Sequence, residues 1–460
     1  MTIDLALVNC RAVMPTGAIL NADIWTTAGR ISGIVAPGTR TMARERYDVH
    51  GAVVLPGIID THFHVGFHAG VADFETETRS AAVGGVTTTC VFVRGLDDYG
   101  ELIPAHIGAG EDRAYVDFAV HLGVLTEAQL SAVGDWAQRY GIRSFKMYTC
   151  YRSAEGEQLR IRGQDDGFLL EGLTRIASIP GAVALVHCEN QEIVERAITQ
   201  TRALAGVQLT DLELWDRSRP VVAEVEAIRR VCYLAGRAGA ELLIPHVSSA
   251  DALAAIEEAR GRGQAVHAET CPHYLALDSA DAIGVLGKIN PPIRGQGHAA
   301  ALWAGIRTGS IEVVGTDHGA VLRARKAGQS VWDASPGFPG VATLLPVLMT
   351  EGVAEGRLPL GTVARLQANA ARILGLERKG QIAVGFDADL IVVDPGHRQA
   401  VSAERLQSAA DFSVFEGRSL VGFPQMTILR GRVVARDGEV VGCPGAGSYI
   451  ARTGSGHPQP

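Results

Sequence analysis

The chain has 460 residues, of which 47% are hydrophobic and 20% charged, and its formal net charge is -8. This composition is typical of a globular enzyme, and the negative charge argues against a nucleic-acid binder, which needs a basic surface to contact phosphates. No apolar run reaches the ~18 residues that cross a membrane, and the N-terminus lacks the basic region of a signal peptide. Seven scattered cysteines without a CxxC pair predict reduced core thiols and a cytoplasmic protein.

Both ends of the chain predict short β-strands separated by turn-forming residues. The β-type runs are Asp23–Thr27, Arg30–Val35, Ala388–Val393, Met426–Leu429 and Arg432–Arg436. We therefore predict a small β-sandwich domain built from residues 1–52 and 376–445. The tail at 446–460 is rich in Gly, Ser and Pro, which predicts a flexible segment.

The middle of the chain, residues 53–375, alternates strand and helix signals. The strand candidates are Val53–His64, Val86–Arg94, Val116–Gly123, Ser144–Cys150, Ala182–Glu189, Glu241–Ser248, Ala265–Cys271 and Glu312–His318. Helical stretches lie between them, at Phe74–Val83, Gly167–Ser178, Val221–Ala238 and Ala250–Arg260. Eight such repeats favour a closed (β/α)8 barrel of the TIM type. An open doubly wound sheet is the alternative, but no Gly-rich phosphate loop follows any of these strands.

Residues that can bind a metal stand at the ends of five of the predicted barrel strands. They are His62, His64, Lys146, His187, His246 and Asp317. In a barrel of parallel strands these ends converge on one face, where active sites lie. Alternate residues of one strand point the same way, so His62 and His64 can share a metal. Imidazole and carboxylate ligands suit zinc.

Each of these residues has an ordinary structural explanation when it is taken alone. A single buried histidine is usually a hydrogen-bonded core residue, Asp317 can form a turn, and Lys146 can extend its charge into water. The arrival of such residues from five strands at one end favours a metal centre. Two further histidines, His121 and His267, lie inside predicted strands and are interpreted as core residues.

Segments spread over nearly the whole chain resemble the amidohydrolase superfamily. They are PGIIDTHFH (Pro56–His64), RSAAVGGVTTT (Arg79–Thr89), SFKMYTCY (Ser144–Tyr151), VHCEN (Val186–Asn190), PHVSS (Pro245–Ser249), ETCPHYL (Glu269–Leu275), INPPIR (Ile289–Arg294), GTDH (Gly315–His318) and KGQIAVGFDADLIVVDP (Lys379–Pro395). In this order they resemble the cyclic amidohydrolases, namely hydantoinases, dihydropyrimidinases, allantoinases and dihydroorotases. The resemblance implies hydrolytic opening of a small cyclic amide or imide, and a homotetramer.

The resemblance also implies a centre of two zinc ions. His62 and His64 would bind the more buried ion together with Lys146 and Asp317, and His187 and His246 would bind the other. Lys146 would be N6-carboxylated by carbon dioxide and would bridge both ions. A lysine fits among metal ligands only in that form, because an ammonium group is a cation and a carbamate is an anion.

Two more roles follow from the resemblance. The zinc ions would share a hydroxide, and Asp317 would accept its proton and later deliver that proton to the leaving nitrogen. The hydroxyl of Tyr151, five residues after Lys146, would help to bind the oxyanion. The run around Asn290 would bind the substrate amide through backbone groups.

The motifs do not decide which cyclic substrate is hydrolysed. Dihydroorotases carry an arginine two residues after the second histidine of the pair; that position is Gly66, and Arg79 is the next arginine, which disfavours dihydroorotate. Tyr151 and the segment Pro336–Leu348 favour a hydantoinase or dihydropyrimidinase, although an asparagine usual near Pro336 is missing. VHCEN and ETCPHYL favour an allantoinase, the second candidate. A non-catalytic relative of dihydropyrimidinase would show substitutions among the six ligand positions, and here all six are present.

Overall fold

The computed structural model describes residues 3–96, 98–204, 208–328 and 330–454. Its strands are β1 (Ile3–Val13), β2 (Ile19–Thr27), β3 (Arg30–Val35), β4 (Ala43–Asp48), β5 (Val53–Pro56), β6 (Ile58–Phe63), β7 (Val86–Val93), β8 (Asp117–Gly123), β9 (Ser144–Tyr148), β10 (Val183–His187), β11 (Leu242–Ile244), β12 (Val266–Thr270), β13 (Val313–Val314), β14 (Leu390–Val393), β15 (Arg398–Ala400), β16 (Ser419–Val421), β17 (Pro424–Leu429), β18 (Arg432–Arg436) and β19 (Glu439–Val440).

Helices follow most strands of the middle segment. They are α1 (Asp73–Val83), α2 (Tyr99–Arg113), α3 (Glu127–Tyr140), α4 (Ala154–Leu159), α5 (Asp166–Ala177), α6 (Gln191–Arg202), α7 (Asp211–Ser218), α8 (Val221–Ala238), α9 (Ala250–Gly261), α10 (Pro272–Ala276), α11 (His298–Thr308), α12 (Leu344–Val347), α13 (Gly361–Leu374) and α14 (Ala403–Leu406). Short 3-10 turns lie at Gly70–Ala72, Gly284–Gly287, Arg323–Arg325 and Val341–Thr343, and a π-helix lies at Leu348–Ala354. Asparagine, aspartate, serine and threonine side chains cap several N-termini; Asn190, for example, accepts from the backbone N–H of Ile193.

Strands β6 to β13 form the predicted barrel. They pair in parallel and in chain order, and their side chains are almost all buried. The last strand returns to the first, because the N–H of His64 donates to the carbonyl of His318 at 3.0 Å and Phe63 bridges His318 in parallel. The predicted (β/α)8 barrel is therefore confirmed. Its strand C-termini all meet at one end, which places the motif residues together.

The predicted first strand, Val53–His64, is divided into two strands in different sheets. Val53–Pro56 pairs with β1 and β14, whereas Ile58–Phe63 enters the barrel. Gly57 lies between them, and a Cβ there would come within 2.1 Å of the Thr87 hydroxyl. Only glycine lets the backbone pass this close to its neighbour, so the chain changes sheets at this residue.

The strands at the two ends of the chain form one mixed sheet, as predicted for a small β-domain built from both termini. Its order is β19-β18-β17-β14-β5-β1-β2-β3, with β4 pairing β1. This sheet has a core of its own, in which Leu7, Ile24, Val54 and Ile428 pack together. The boundaries predicted for the two domains remain a prediction.

The segment 446–454 differs from the flexible tail expected for 446–460. Ser448 donates its N–H to Asp117 at 2.9 Å, and the guanidinium of Arg452 donates to the carbonyl of Val120 at 2.6 Å. Arg452 is buried. The composition of this segment indicated flexibility, but one arginine that satisfies buried carbonyls at the bottom of the barrel holds the chain in place. Residues 455–460 lie outside the described residues.

Among the described residues, no helix combines the length and the apolar character that a membrane span needs.

Candidate active site

The six predicted metal ligands line one cavity at the C-terminal end of the barrel. Their positions on the strands are as follows: His62 lies in β6, His64 just after β6, Lys146 in β9, His187 at the end of β10, His246 just after β11, and Asp317 just after β13. The parallel strands explain the convergence, because every ligand-type residue stands at or near a strand's carboxyl end.

His62, His64 and Asp317 form the first group of donor atoms. The Nε2 atoms of both histidines lie 3.1 Å from Oδ1 of Asp317. Burial works to raise the pKa of Asp317, but the two imidazoles outweigh it and hold that pKa well below its usual value. The carboxylate is therefore ionised, and the three side chains are spaced as potential ligands of one metal ion.

His187 and His246 form the second group. Nδ1 of His187 lies 3.0 Å from Nε2 of His246, and both side chains are buried. Burial lowers the pKa of each imidazole. Both rings are thus neutral near pH 7, which is the form that binds metals.

The side chain of Lys146 has no hydrogen-bond partner for its Nζ atom within the described parts of the chain, although it is buried. Its nearest aromatic neighbours are the rings of Phe92 and Tyr148, at 5.3 and 5.5 Å. Burial lowers the pKa of Lys146 to about 8. An unpaired buried ammonium is unfavourable. The donor set around it, five imidazole and carboxylate groups, fits a metal centre with an anionic bridging ligand better than it fits a free cation.

Two of the proposed ligands have unusual backbone geometry. His246 has a φ of 43° and Asp317 a φ of 49°, in the left-handed region that non-glycine residues rarely adopt. Tyr151 shares this property, with a φ of 73°. Strained residues of this kind cluster at functional sites. Gly315 aids the approach of Asp317, because a Cβ at that position would lie 2.8 Å from the Cβ of His62.

Two buried carboxylates orient the histidines, and the sequence analysis assigned neither of them. Glu269 Oε1 lies 2.8 Å from Nδ1 of His62, and Glu189 Oε2 lies 2.8 Å from Nε2 of His187. Such contacts fix the ring orientation and leave the opposite nitrogen facing the cavity. A signal was available, since Glu189 follows His187 at the alternating spacing of a strand and both carboxylates fall inside quoted motifs.

Cys150, His187 and Glu189 form a second cluster with ligand-like spacing. Burial raises the pKa of the Cys150 thiol well above its usual value, so the thiol is not a ready thiolate ligand. Glu189 is already paired with Arg219 at 2.7 Å. We therefore interpret this cluster as the support behind His187 and not as a metal centre.

Tyr151 and Asn290 meet at the side of the cavity. The amide of Asn290 donates to the hydroxyl of Tyr151 at 3.3 Å and to Oε1 of Glu155 at 2.8 Å, while Trp215 donates to its carbonyl oxygen at 3.1 Å. Burial raises the pKa of Tyr151 well above its usual value, so its hydroxyl stays a neutral donor. The structure thus brings together both residues that the sequence analysis placed near the substrate.

The remaining cavity wall is mostly apolar, with one further charged side chain. It is lined by Phe67, Arg94, Tyr148, Leu159, Ile161, Ile289, Gly319, Pro336 and Gly337. The sequence analysis did not single out Arg94. His318 is turned away, with its ring bonded to Glu77 at 2.9 Å. His121 is a core residue bonded to Ser144, as predicted.

A barrel whose strand ends carry clustered histidines and an aspartate defines an enzyme with a candidate metal centre. A model described as the amidohydrolase family matches residues 251–435. An L-hydantoinase of Paenarthrobacter aurescens is 34% identical over 98% of this chain and 98% of its own. An allantoinase of Rubrobacter xylanophilus is 36% identical over 93% of this chain and 94% of its own.

Solved structures agree with these relatives. The L-hydantoinase (dihydropyrimidinase) from Arthrobacter aurescens superposes with a TM-score of 0.91 at 32% identity, covering 98% of this chain and 100% of that one. A dihydropyrimidinase from Brevibacillus agri NCHU1002 gives 0.89 at 29% identity, covering 98% and 99%. The chain therefore belongs to the amidohydrolase family and is a cyclic amidohydrolase, as the motifs predicted.

Proposed function

We propose that this enzyme hydrolyses the amide bond of a small cyclic ureide or imide, in the manner of a hydantoinase or dihydropyrimidinase, with two zinc ions bridged by N6-carboxylated Lys146. The relatives named hydantoinase span nearly the whole chain, which supports this type of substrate. The observation that carries the proposal is Lys146, a buried amine without a hydrogen-bond partner in the described structure, among four imidazoles and one carboxylate.

The chemistry of the donor set supports an assignment of each ligand. His62, His64 and Asp317 would bind one ion, and His187 and His246 the other, with the carbamate of Lys146 between them. When bound, the zinc ions would supply a polarised carbonyl and an activated water at neutral pH. Glu269 and Glu189 would hold the imidazoles of His62 and His187 in the orientation that binding needs.

The remaining steps belong to residues of the chain. Asp317 takes up the proton of the attacking water as the new C–O bond forms at the ring carbonyl, and it returns that proton to the ring nitrogen as the C–N bond breaks. The hydroxyl of Tyr151 donates to the developing oxyanion, and Asn290 holds that hydroxyl in place. The apolar wall, including Phe67 and Ile289, excludes water from one side of the ring.

Allantoin is the second candidate substrate. The relative from Rubrobacter xylanophilus named allantoinase is 36% identical over 93% of this chain. The segments VHCEN and ETCPHYL, which favour allantoinase, supply Glu189 and Glu269 behind the histidines.

The test is ring opening by the zinc-loaded enzyme on dihydrouracil, 5-substituted hydantoins, allantoin, dihydroorotate and succinimide. The control is the same protein after chelation, and then after zinc is restored. We expect opening of hydantoins or dihydrouracil that is lost on chelation and regained with zinc. Exclusive opening of allantoin would establish the second candidate. Activity that persists in the chelated protein would contradict the proposed metal centre.

A further inference from the structure

The cavity contains a cation that the proposed chemistry does not use. Its charged lining residues, apart from the histidines, are Arg94, Lys146 and Asp317. Asp317 contacts His62 and His64, and Lys146 serves the metal centre under the proposed function. Arg94 makes no ion pair with any carboxylate of the described residues. A guanidinium is always charged, so its side chain leaves one positive charge facing the substrate space.

Neutral contacts hold Arg94 in place. It follows the end of β7, and its guanidinium carbon lies 5.6 Å from the ring centroid of Phe67. Tyr148 is a second neighbour: burial raises the pKa of its hydroxyl, and the charge of Arg94 acts against that rise. Gly123 leaves room for it, since a Cβ there would lie 3.1 Å from the Cβ of Arg94. These contacts orient the planar group without neutralising its charge, and several of its five N–H donors stay available.

The position of Arg94 is one side chain away from the reacting centre. The ring of Phe67 lies 5.6 Å from the ring of His64, and the ring of Tyr148 lies 5.5 Å from the amine of Lys146. Arg94 therefore neighbours both of the aromatic residues that stand beside the proposed ligands. A ring whose carbonyl reaches the ligands would therefore point a substituent towards this guanidinium.

We propose that Arg94 binds a carboxylate on the substrate, so that the preferred substrate is an anionic cyclic ureide; this inference rests on the proposed function. A carboxylate matches the planar fork of a guanidinium and forms strong charge-assisted hydrogen bonds with it. The anion stands either at the end of a short substituent on a hydantoin or directly on the ring, as in dihydroorotate. Sequence spacing after His64 showed no arginine for this task, and the structure supplies one from a different strand.

The experiment compares charged and neutral rings of nearly equal shape. The zinc-loaded enzyme is assayed on 5-(2-carboxyethyl)hydantoin, its neutral 5-(2-carbamoylethyl) analogue, and dihydroorotate. The variants are Arg94→Gln, Arg94→Lys and, as a control for net charge, Arg307→Gln on the exposed last turn of α11. Binding of the carboxylate ring is measured by calorimetry beside kcat and KM, and zinc content is determined for each variant.

We expect the wild-type enzyme to favour a carboxylate ring by about 10- to 100-fold in kcat/KM, the range of one hydrogen-bonded charge interaction. Arg94→Gln loses most of that preference through a higher KM for the charged ring, while Arg94→Lys keeps part of it and Arg307→Gln keeps all of it. This loss of preference will appear with either the 5-substituted hydantoin or dihydroorotate. The substrate that shows it identifies the position of the carboxylate on the ring.

The outcomes separate the two proposals. Opening of both hydantoins at equal efficiency, with dihydroorotate either not opened or not affected by Arg94→Gln, would overturn the anion site and leave the hydrolytic function intact. An equal loss on charged and neutral rings in Arg94→Gln would overturn it too. Binding of the charged ring that depends on Arg94, without any ring opening, would support the anion site and refute the hydrolytic function. If the charged ring is neither bound nor opened, the anion site is also overturned.

Discussion

Two lysines are buried at opposite ends of the same barrel, and their surroundings differ in kind. Lys379 is 5% exposed and contacts Asp117, Asp389 and Asp387 at 2.6, 2.7 and 3.1 Å. Lys146 is 2% exposed and has no hydrogen-bond partner in the described parts of the chain. The ammonium of Lys379, at the bottom of the barrel, is therefore paired with carboxylates, whereas the amine of Lys146, at the end that carries the cavity, has no such partner in the described structure.

The pKa shifts of the two amines follow from this difference. Burial disfavours the charged form of Lys379, but the three carboxylates outweigh it and raise the pKa. At Lys146 burial dominates and lowers the pKa to about 8. A structural lysine joins the terminal sheet to the barrel through ion pairs. A lysine held without partners is available for chemistry, which under the proposed function is reaction of its neutral amine with carbon dioxide.

The largest expected effect is on activity, in Lys146→Ala. Loss of the bridging ligand should lower kcat/KM by at least about 10⁴-fold, because the activated water depends on it. Added acetate or propionate should restore part of the activity by entering the vacated space. Steady-state assays with and without the acid measure this, and full activity in the variant would show that Lys146 is only a core residue.

Asp317→Asn should rank next, with kcat reduced by about 10³-fold, because the amide neither accepts the proton nor delivers it to the leaving nitrogen. Zinc content and the circular dichroism spectrum are compared with wild type, to separate loss of the proton carrier from loss of metal. Near-normal turnover would exclude the proton-transfer role.

At the other end of the barrel the effect should be on stability. Lys379→Met leaves buried carboxylates unpaired and should lower the free energy of unfolding by about 3–5 kcal/mol. Lys146→Met is the matched control, since it removes an equally buried amine that has no hydrogen bonds to lose in the described structure. Urea unfolding of both chelated proteins should show a much smaller change for Lys146→Met, and equal changes would refute the comparison.

Tyr151→Phe should lower kcat by about 10²-fold, the cost of removing one donor to an oxyanion. KM should change less, because the donor acts mainly in the transition state. A variant that raises KM and keeps kcat would assign Tyr151 to substrate binding alone.

The smallest expected effect is on the pH dependence of stability, through His267 at the bottom of the barrel. Burial disfavours the charged form of His267, but hydrogen bonds to Glu241 and Glu312 outweigh it and raise its pKa. Its stabilising contribution is therefore fully present below the unfolded pKa of about 6.5 and is lost as pH rises through the folded value. His267→Gln should cost on the order of 1 kcal/mol at pH 6 and less at pH 9. The same loss at both values would contradict the charged pair.

The sequence was sufficient to predict the barrel and the convergence of the six proposed ligands on one cavity, because the signals of both are local. Each ligand stands at the end of a periodic apolar run, and parallel topology then brings those ends together. The residues that support the ligands were harder to predict. Glu269, in β12, and Glu189, two residues after β10, are ordinary acidic residues until their partners are known. Arg94 faces the cavity only because β7 neighbours β8 and Gly123 leaves it space.

The observed fold differs from the predicted one in two places, and both differences have a similar origin. Val53–His64 was predicted as a single strand, and its division at Gly57 depends on how closely Thr87 packs against that residue. The segment 446–454 is held by Arg452, whose partners lie more than 70 residues away in sequence. Contacts of this range leave no periodic pattern in the chain.

The bridging role of Lys146 is tested most directly by preparing the enzyme with zinc and ¹³C-labelled bicarbonate and recording its carbon NMR spectrum beside the zinc content. We predict two zinc ions per chain and one carbamate resonance that is absent from Lys146→Ala. Two bound zinc ions without a carbamate resonance, or a resonance that persists in Lys146→Ala, would contradict the assignment of Lys146 as the bridging ligand.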